Sequence, residues 1–253
     1  MARFVVDAIV LKHVDYADSD RIITAFSLER GRIEGRARGV RKSSKRFAGR
    51  LDLFTRGQVT IREGRGAPKL EAAEITNAYL GMRVDLDRLA WAGVFSELVL
   101  KLYGEGEPHP AAFASLAAAL EHLDQPDPVR CGLLYLQELR LLQEAGLKPE
   151  LGHCVGCGGE VGPGRTFVFH VARGGALCDR CLGVDGGLKV DAGTLRLLQR
   201  GMSFSPEKAG RLHFNAAALS QTKAIIWAFL RYHVGGSWRA RRFLDQLLVG
   251  PAV

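Results

Sequence analysis

Arg32-Ile33-Glu34-Gly35-Arg36-Ala37-Arg38-Gly39 alternates charged side chains with small or apolar ones at a period of two. Strand side chains point to opposite faces in turn, so Arg32, Glu34, Arg36 and Arg38 share one face. Ile33, Gly35, Ala37 and Gly39 take the other and are small enough for the interior of a small barrel. Upstream, residues 3–14 also alternate, Asp18-Ser19-Asp20 supplies a turn, and residues 21–28 are β-branched and apolar. Glu29-Arg30-Gly31 makes a short hairpin loop into the strand expected at 32–39. Downstream, residues 58–62 and 70–76 supply two more strands around a turn at 64–68. Five short strands in about 80 residues fit a closed barrel of the OB type, a frequent oligonucleotide binder.

Beyond residue 80 the period becomes helical. Helices are expected at 85–103, 110–123, from Asp127-Pro128 to Ala145, and at 191–200, 215–234 and 237–248. An Asp, Asn or Ser stands at the expected cap of each of the last three. Residues 151–188 hold eleven glycines, which argues against a regular helix there. The expected class is α+β: a five-stranded OB barrel over residues 1–80, then a helical domain over 81–253 with a four-cysteine zinc ribbon inserted at 151–188.

The chain has 253 residues and a net charge of +8. Residues 30–50 hold nine basic residues and one acid, Glu34, so 21 positions account for the whole excess. Residues 51–188 are net −5, and residues 189–242 are +8 again but diffuse. Such asymmetry points to a polyanionic partner. In the dense segment, Arg32, Arg36, Arg38, Arg41, Lys42, Lys45, Arg46 and Arg50 are the candidate phosphate contacts, and Ser43 and Ser44 can donate to phosphate oxygens. Phe47 either stacks on an unpaired base or packs internally. A solvated charge run without a partner is the plainer alternative, and the nine-to-one ratio on a strand-binding barrel argues against it.

Cys154-x2-Cys157 and Cys178-x2-Cys181, 20 residues apart, have zinc-ribbon spacing, each pair able to present two sulfurs to one tetrahedral ion. Four thiolates close the site, so one structural Zn²⁺ is expected rather than a catalytic one. Cys131 reads as a small core residue. The sequence has no P-loop spacing, no zinc-deaminase pattern and no nucleophile motif. Asp18/Asp20 and Asp85/Asp87 are the acidic pairs a two-metal nuclease would need, and they read instead as a turn and a helix start. The longest apolar run, residues 224–230, falls far short of a membrane span, and the N-terminus lacks a secretion pattern. A cytoplasmic, non-catalytic binding protein is expected, with a zinc-dependent nuclease or an RNA-binding accessory factor as the alternatives.

Ala37-Arg38-Gly39-Val40-Arg41-Lys42, the run Ala145-Gly146-Leu147-Lys148-Pro149-Glu150-Leu151 before Cys154-x2-Cys157, and the opening Val10-Leu11-Lys12 with Tyr16 and Asp20 together resemble the bacterial RecO family. The resemblance spans the chain and implies a recombination mediator located at the nucleoid. Such a protein binds single- and double-stranded DNA and anneals complementary strands. It also works with RecR to load RecA on strands coated by single-stranded DNA-binding protein (SSB), and contacts the acidic C-terminal tail of SSB. On this reading Arg231, Arg239, Arg241 and Arg242, in the second basic region, either form a second site for DNA or the tail, or are ordinary exposed helix positions.

Overall fold

In the computed structural model, which describes residues 2–41, 47, 49–163, 165–183 and 186–249, the N-terminal strands close into a barrel. The strands are β1 (Arg3–Tyr16), β2 (Asp20–Ser27), β3 (Gly31–Ala37), β4 (Arg56–Gly64) and β5 (Gly66–Asn77), in the order β1-β2-β3-β5-β4. The long β1 pairs with β2 and β4, and a register shift between Val10 and Lys12 bends it from one to the other. A short parallel contact, Arg36 with Lys69 and Ala37 with Leu70, closes the cylinder. This is the OB arrangement.

Closure depends on a small residue. A Cβ on Gly35 would lie 3.0 Å from Leu70 Cδ2 and 3.1 Å from the Pro68 carbonyl oxygen, so β3 could not come as close to β5. The interior holds Val6, Ala8, Val10, Ile23, Ala25, Val59, Ile61 and Leu70. The turn expected at 64–68 is tighter: Gly64 already pairs with Gly66, and Pro68 lies inside β5 beside a register irregularity, where a residue without an N–H is tolerated.

Helix α1 (Leu86–Leu102) is capped by Asp85, whose side chain accepts the N–H groups of Asp87 and Arg88. Helix α2 (Pro110–Asp124) starts on proline. Phe26, which alternates with Ile23 and Ala25 and so faces away from the barrel interior, lies against Tyr103, just past α1, and Phe113 of α2, at 5.3 and 6.3 Å between ring centroids. The next helix, α3, spans Cys131–Glu144 and so begins three residues after the expected Pro128 start. The Asp127 carbonyl is already taken, accepting from the buried Arg88 guanidinium, which also caps α2 through the Leu123 carbonyl. Gly146, at φ +76°, ends α3, and the Leu147 N–H bonds the Leu142 carbonyl. Cys131 is half-buried rather than a core residue.

The glycine-rich segment holds more regular structure than expected. Strands β6 (Phe167–His170), β7 (Gly175–Cys178) and β8 (Leu188–Val190) form a sheet in the order β7-β6-β8, and α4 (Asp179–Leu182) adds one helical turn. Helices α5 (Ala192–Ser203), α6 (Pro206–Ala209) and α7 (Ala216–His233) follow. Asn215 caps α7 as expected, accepting from the Ala218 N–H at 2.8 Å. Asp191 does not cap α5 with its side chain, which accepts from Gln221 instead. Helix α8 (Arg239–Val249) starts two residues after the expected Ser237, and its cap comes from far away in sequence. The Glu97 carboxylate of α1 accepts the N–H groups of Arg239 and Ala240 at 2.8 and 3.0 Å.

The chain packs as two compact units, residues 1–129 with 238–253, and residues 130–237. Helices α1, α2 and α8 therefore belong with the barrel, and α3 through α7 with the cysteine-bearing sheet. Among the described residues no helix is long and apolar enough to cross a membrane.

Candidate nucleic-acid interface and metal centre

The outer face of β1, β2 and β3 follows from their register. Lys12 pairs with Thr24 and Thr24 with Glu34; Val14 pairs with Ile22 and Ile22 with Arg36; Tyr16 pairs with Asp20. Lys12, Glu34 and Arg38 are exposed, and Arg36 is half-buried. Arg36 is held by Asp20, with Nε and Nη2 at 2.7 and 2.6 Å from Oδ2, and its guanidinium carbon lies 4.7 Å from the Tyr16 ring centroid. The other Asp20 oxygen accepts the Gly39 N–H at 2.8 Å, and the Arg41 N–H bonds the Ser19 carbonyl at 3.1 Å. These bonds tie the residues that follow β3, Gly39 and Arg41, to the β1–β2 turn. Asp20, one of the carboxylates considered for a nuclease, is thus a structural pin, and Asp85 is a helix cap.

The Gly39 N–H, and after it the Arg36 guanidinium, hold the Asp20 carboxyl below the usual carboxylate range against desolvation that pushes it up. A depressed carboxylate contributes stability above its unfolded pKa of about 3.9 and loses it as pH falls through the lower folded value. Asp20→Asn should therefore lower the thermal midpoint near neutrality, with the gap to wild type narrowing between pH of about 5 and about 2. A gap of constant size across that range would refute the assignment.

Counting charge along the chain overlooks carboxylates that other segments bring in. Arg30 pairs with Glu63 at 3.0 Å and Arg41 with Asp15 at 3.7 Å. Arg32 donates to the Leu100 carbonyl at 3.0 Å and lies 3.6 Å from Glu105, so it ties β3 to the residues at the end of α1. Arg50 is half-buried, whereas Arg38 and Arg41 are exposed. Lys42, Lys45 and Arg46, with Ser43 and Ser44, lie outside the described residues. Phe47 is fully buried among the barrel's core residues, so the packing alternative replaces the stacking one: its ring offers no face to a base.

The proposed second basic site also needs correction. Arg241 is 1% exposed, with its guanidinium 5.9 Å from the Trp91 ring centroid, and is a core residue of the first unit. Arg239 and Arg242 are exposed on α8 of that unit, whereas Arg231 is exposed on α7 of the second, 5.9 Å from the Trp227 ring.

Cys154, Cys157, Cys178 and Cys181 converge, with their sulfurs all within 4.8 Å of one another. Among the described residues this is the one cluster of three or more side chains able to hold a metal ion. Two knuckles build it. In the first, the Gly158 N–H bonds the Cys154 carbonyl at 2.8 Å, and Gly158 has φ +71°. In the second, β7 ends on Cys178 and the single turn of α4 brings Cys181 round. A Cβ on Gly156 would lie 2.8 Å from Cys181 Cβ, so only glycine lets the knuckles meet. Burial pushes the Cys154 thiol up, but the Cys178, Cys157 and Gly156 N–H groups outweigh it and bring it down to about 6. Hydrogen bonding with the Cys157 and Cys178 sulfurs pushes Cys181 up to about 12. Sulfurs so crowded share protons unless a cation takes their place.

Family models match along the chain. One described as Recombination protein O N terminal covers residues 1–79, and one described as Recombination protein O C terminal covers residues 83–242. The chain is 38% identical over 254 residues to the DNA repair protein RecO of Anaeromyxobacter dehalogenans (strain 2CP-C), covering 99% of this chain and 98% of that one. Identity is 36% over 253 residues to that of Syntrophotalea carbinolica, covering 97% of this chain and 95% of that one. With that of Symbiobacterium thermophilum it is 30% over 249 residues and 98% of both chains. A closed barrel with a cationic outer face, a helical body and a four-sulfur knuckle pair thus occur together in a chain that belongs to the RecO family of DNA repair and recombination proteins.

Proposed function

We propose that this chain is a non-catalytic DNA-binding protein of recombinational repair that acts in the cytoplasm, at the nucleoid. It binds single- and double-stranded DNA and anneals complementary strands. With RecR it assists RecA loading on single strands coated by SSB. The observation that carries this reading is the outer barrel face, where Lys12, Arg38 and Arg41 are exposed. Cations so placed neutralise phosphates without reading bases. Annealing requires two polyanions to approach, and a cationic surface lowers their repulsion. Arg239 and Arg242 on α8 are the candidate contacts for a second strand or for the acidic SSB tail.

The cysteine cluster holds one structural Zn²⁺ on this reading. Four thiolates suit its tetrahedral preference and leave no position for substrate. Cys154, Cys157, Cys178 and Cys181 would then join the two knuckles, so the metal serves the fold of the second unit and not a reaction.

The test is a fluorescent single strand titrated across a salt series, with annealing of complementary strands followed with and without SSB. Affinity should fall steeply with salt, with a log–log slope of about −0.7 for each phosphate contacted, and annealing should persist on coated strands. A flat salt response with no annealing would exclude the reading.

A further inference from the structure

The burial of Phe47 settles its two alternatives in favour of packing, and the basic face carries another aromatic, Tyr16. Tyr16, the last residue of β1, is 48% exposed, as is Val14 two positions before it on the same face. Ile22, paired with Val14, is half-buried. An apolar strip of three side chains therefore crosses β1 and β2, edged by Lys12 at one end and by Arg36 and Arg38 on β3 and just beyond it.

We infer that Tyr16 is a stacking platform for an unpaired base, so that the barrel face distinguishes single-stranded from duplex DNA. The inference rests on the DNA-binding reading above and adds to it the residue that senses unpaired bases.

Three observations carry it. The Arg36 guanidinium lies 4.7 Å from the ring centroid and is fixed there by Asp20, so the ring is braced in place while about half of the side chain stays open. The bonds from Gly39 to Asp20 and from Arg41 to Ser19 bring residues 38–41, with the exposed Arg38 and Arg41, to the same turn, within reach of the phosphates on either side of a stacked base. Strands 2 and 3 with the β1–β2 loop form the surface that OB barrels present to oligonucleotides, and Tyr16 stands at the foot of that loop. The size of the strip also limits its occupant. A stable protein partner buries about 800 Å² per side, far more than two exposed side chains offer, whereas one or two bases match it. Every base has a π face, so such a platform holds single strands irrespective of sequence. In a duplex those faces are already stacked and cannot reach the ring.

Tyr16→Ala, Tyr16→Phe and Tyr16→Trp test this in the full chain, with oligo-dT, an abasic oligonucleotide of equal length, a duplex, and an acidic peptide as probes. Tyr16→Ala should weaken oligo-dT binding about tenfold, the loss of one stacked base, with an unchanged salt slope because no phosphate contact is removed. Duplex and abasic strand should bind wild type and Tyr16→Ala equally, and Tyr16→Phe should match wild type. Tyr16→Trp should show quenching on oligo-dT beyond that of the native tryptophans, and this decides the question if the alanine variant does not fold. If the Arg38→Ala variant loses affinity while Tyr16→Ala binds oligo-dT as wild type does, the platform is refuted and DNA binding stands. If wild type binds no DNA at all, both fall. Loss confined to the acidic peptide would assign the strip to a protein tail and overturn the proposal.

Discussion

Cys178→Ala should abolish the Zn²⁺ binding proposed for the second unit and, with it, the packing of β6, β7 and β8. Cys178 is fully buried at the end of β7, its sulfur 3.9 Å from that of Cys157, and its N–H donates to the Cys154 sulfur at 3.3 Å. Strands β6, β7 and β8 have four, four and three residues, too short to hold a sheet by their own ladders. Phe167, Phe169 and Leu177 do supply a small core, so the loss should fall short of the about 10–16 kcal/mol seen for zinc in isolated finger peptides. It should still exceed the effect of any single apolar truncation in this unit. Purified wild-type protein should carry about one Zn²⁺ per chain and the variant almost none. Limited proteolysis should cut the variant, or chelator-treated wild type, within residues 150–190 while the barrel survives. A metal-free chain that resists protease and melts as wild type does would show the cysteines to be unligated thiols.

The features legible in the sequence were those with a local period or spacing. Alternation in Arg32 to Gly39 marked β3 and its two faces, because strand periodicity depends on neighbouring residues alone. The Cys-x2-Cys pairs marked the metal cluster, because each knuckle closes within four residues. What escaped depends on contacts distant in sequence. Phe47, one aromatic in a charged stretch of sequence, stands in no periodic pattern that would reveal that it turns inward. Arg241 looks like its exposed neighbours Arg239 and Arg242 until α8 packs on α1 and covers it. The cap of α8 comes from Glu97, 142 residues before Arg239. Asp15, Asp20, Glu63 and Glu105 all lie outside the segment 30–50 whose charge they offset, so the linear count overstated the free charge of that segment. Tyr16 could have been noticed as the aromatic member of the alternating series Lys12, Val14, Tyr16; its value lies in the strands beside it, which the series does not show.

The offsetting of charge decides which variants best test the DNA interface. Arg36 is held by Asp20 and Arg32 by the Leu100 carbonyl and Glu105, so changing either would loosen the barrel as well as any DNA contact. Arg38 and Arg41 are exposed, the Arg41 pair with Asp15 is a surface ion pair of little worth to stability, and Lys42 and Arg46 follow in sequence. Replacing Arg38, Arg41, Lys42 and Arg46 together by Ala should therefore leave the thermal midpoint close to wild type while removing up to four phosphate contacts. At about 0.7 per contact on single strands, the salt slope should fall by about 2.8. Taken from a reference near 1 M salt down to about 0.1 M, that slope corresponds to an affinity loss of several hundred-fold. Fluorescence anisotropy on oligo-dT at several salt concentrations measures both quantities in one series, and annealing should slow in parallel. The slope is the sharper readout, because misfolding lowers affinity at every salt concentration without counting contacts. A folded quadruple variant with the wild-type slope would move the phosphate surface off residues 38–46, leaving the exposed Arg239 and Arg242 of α8 as the next residues to change.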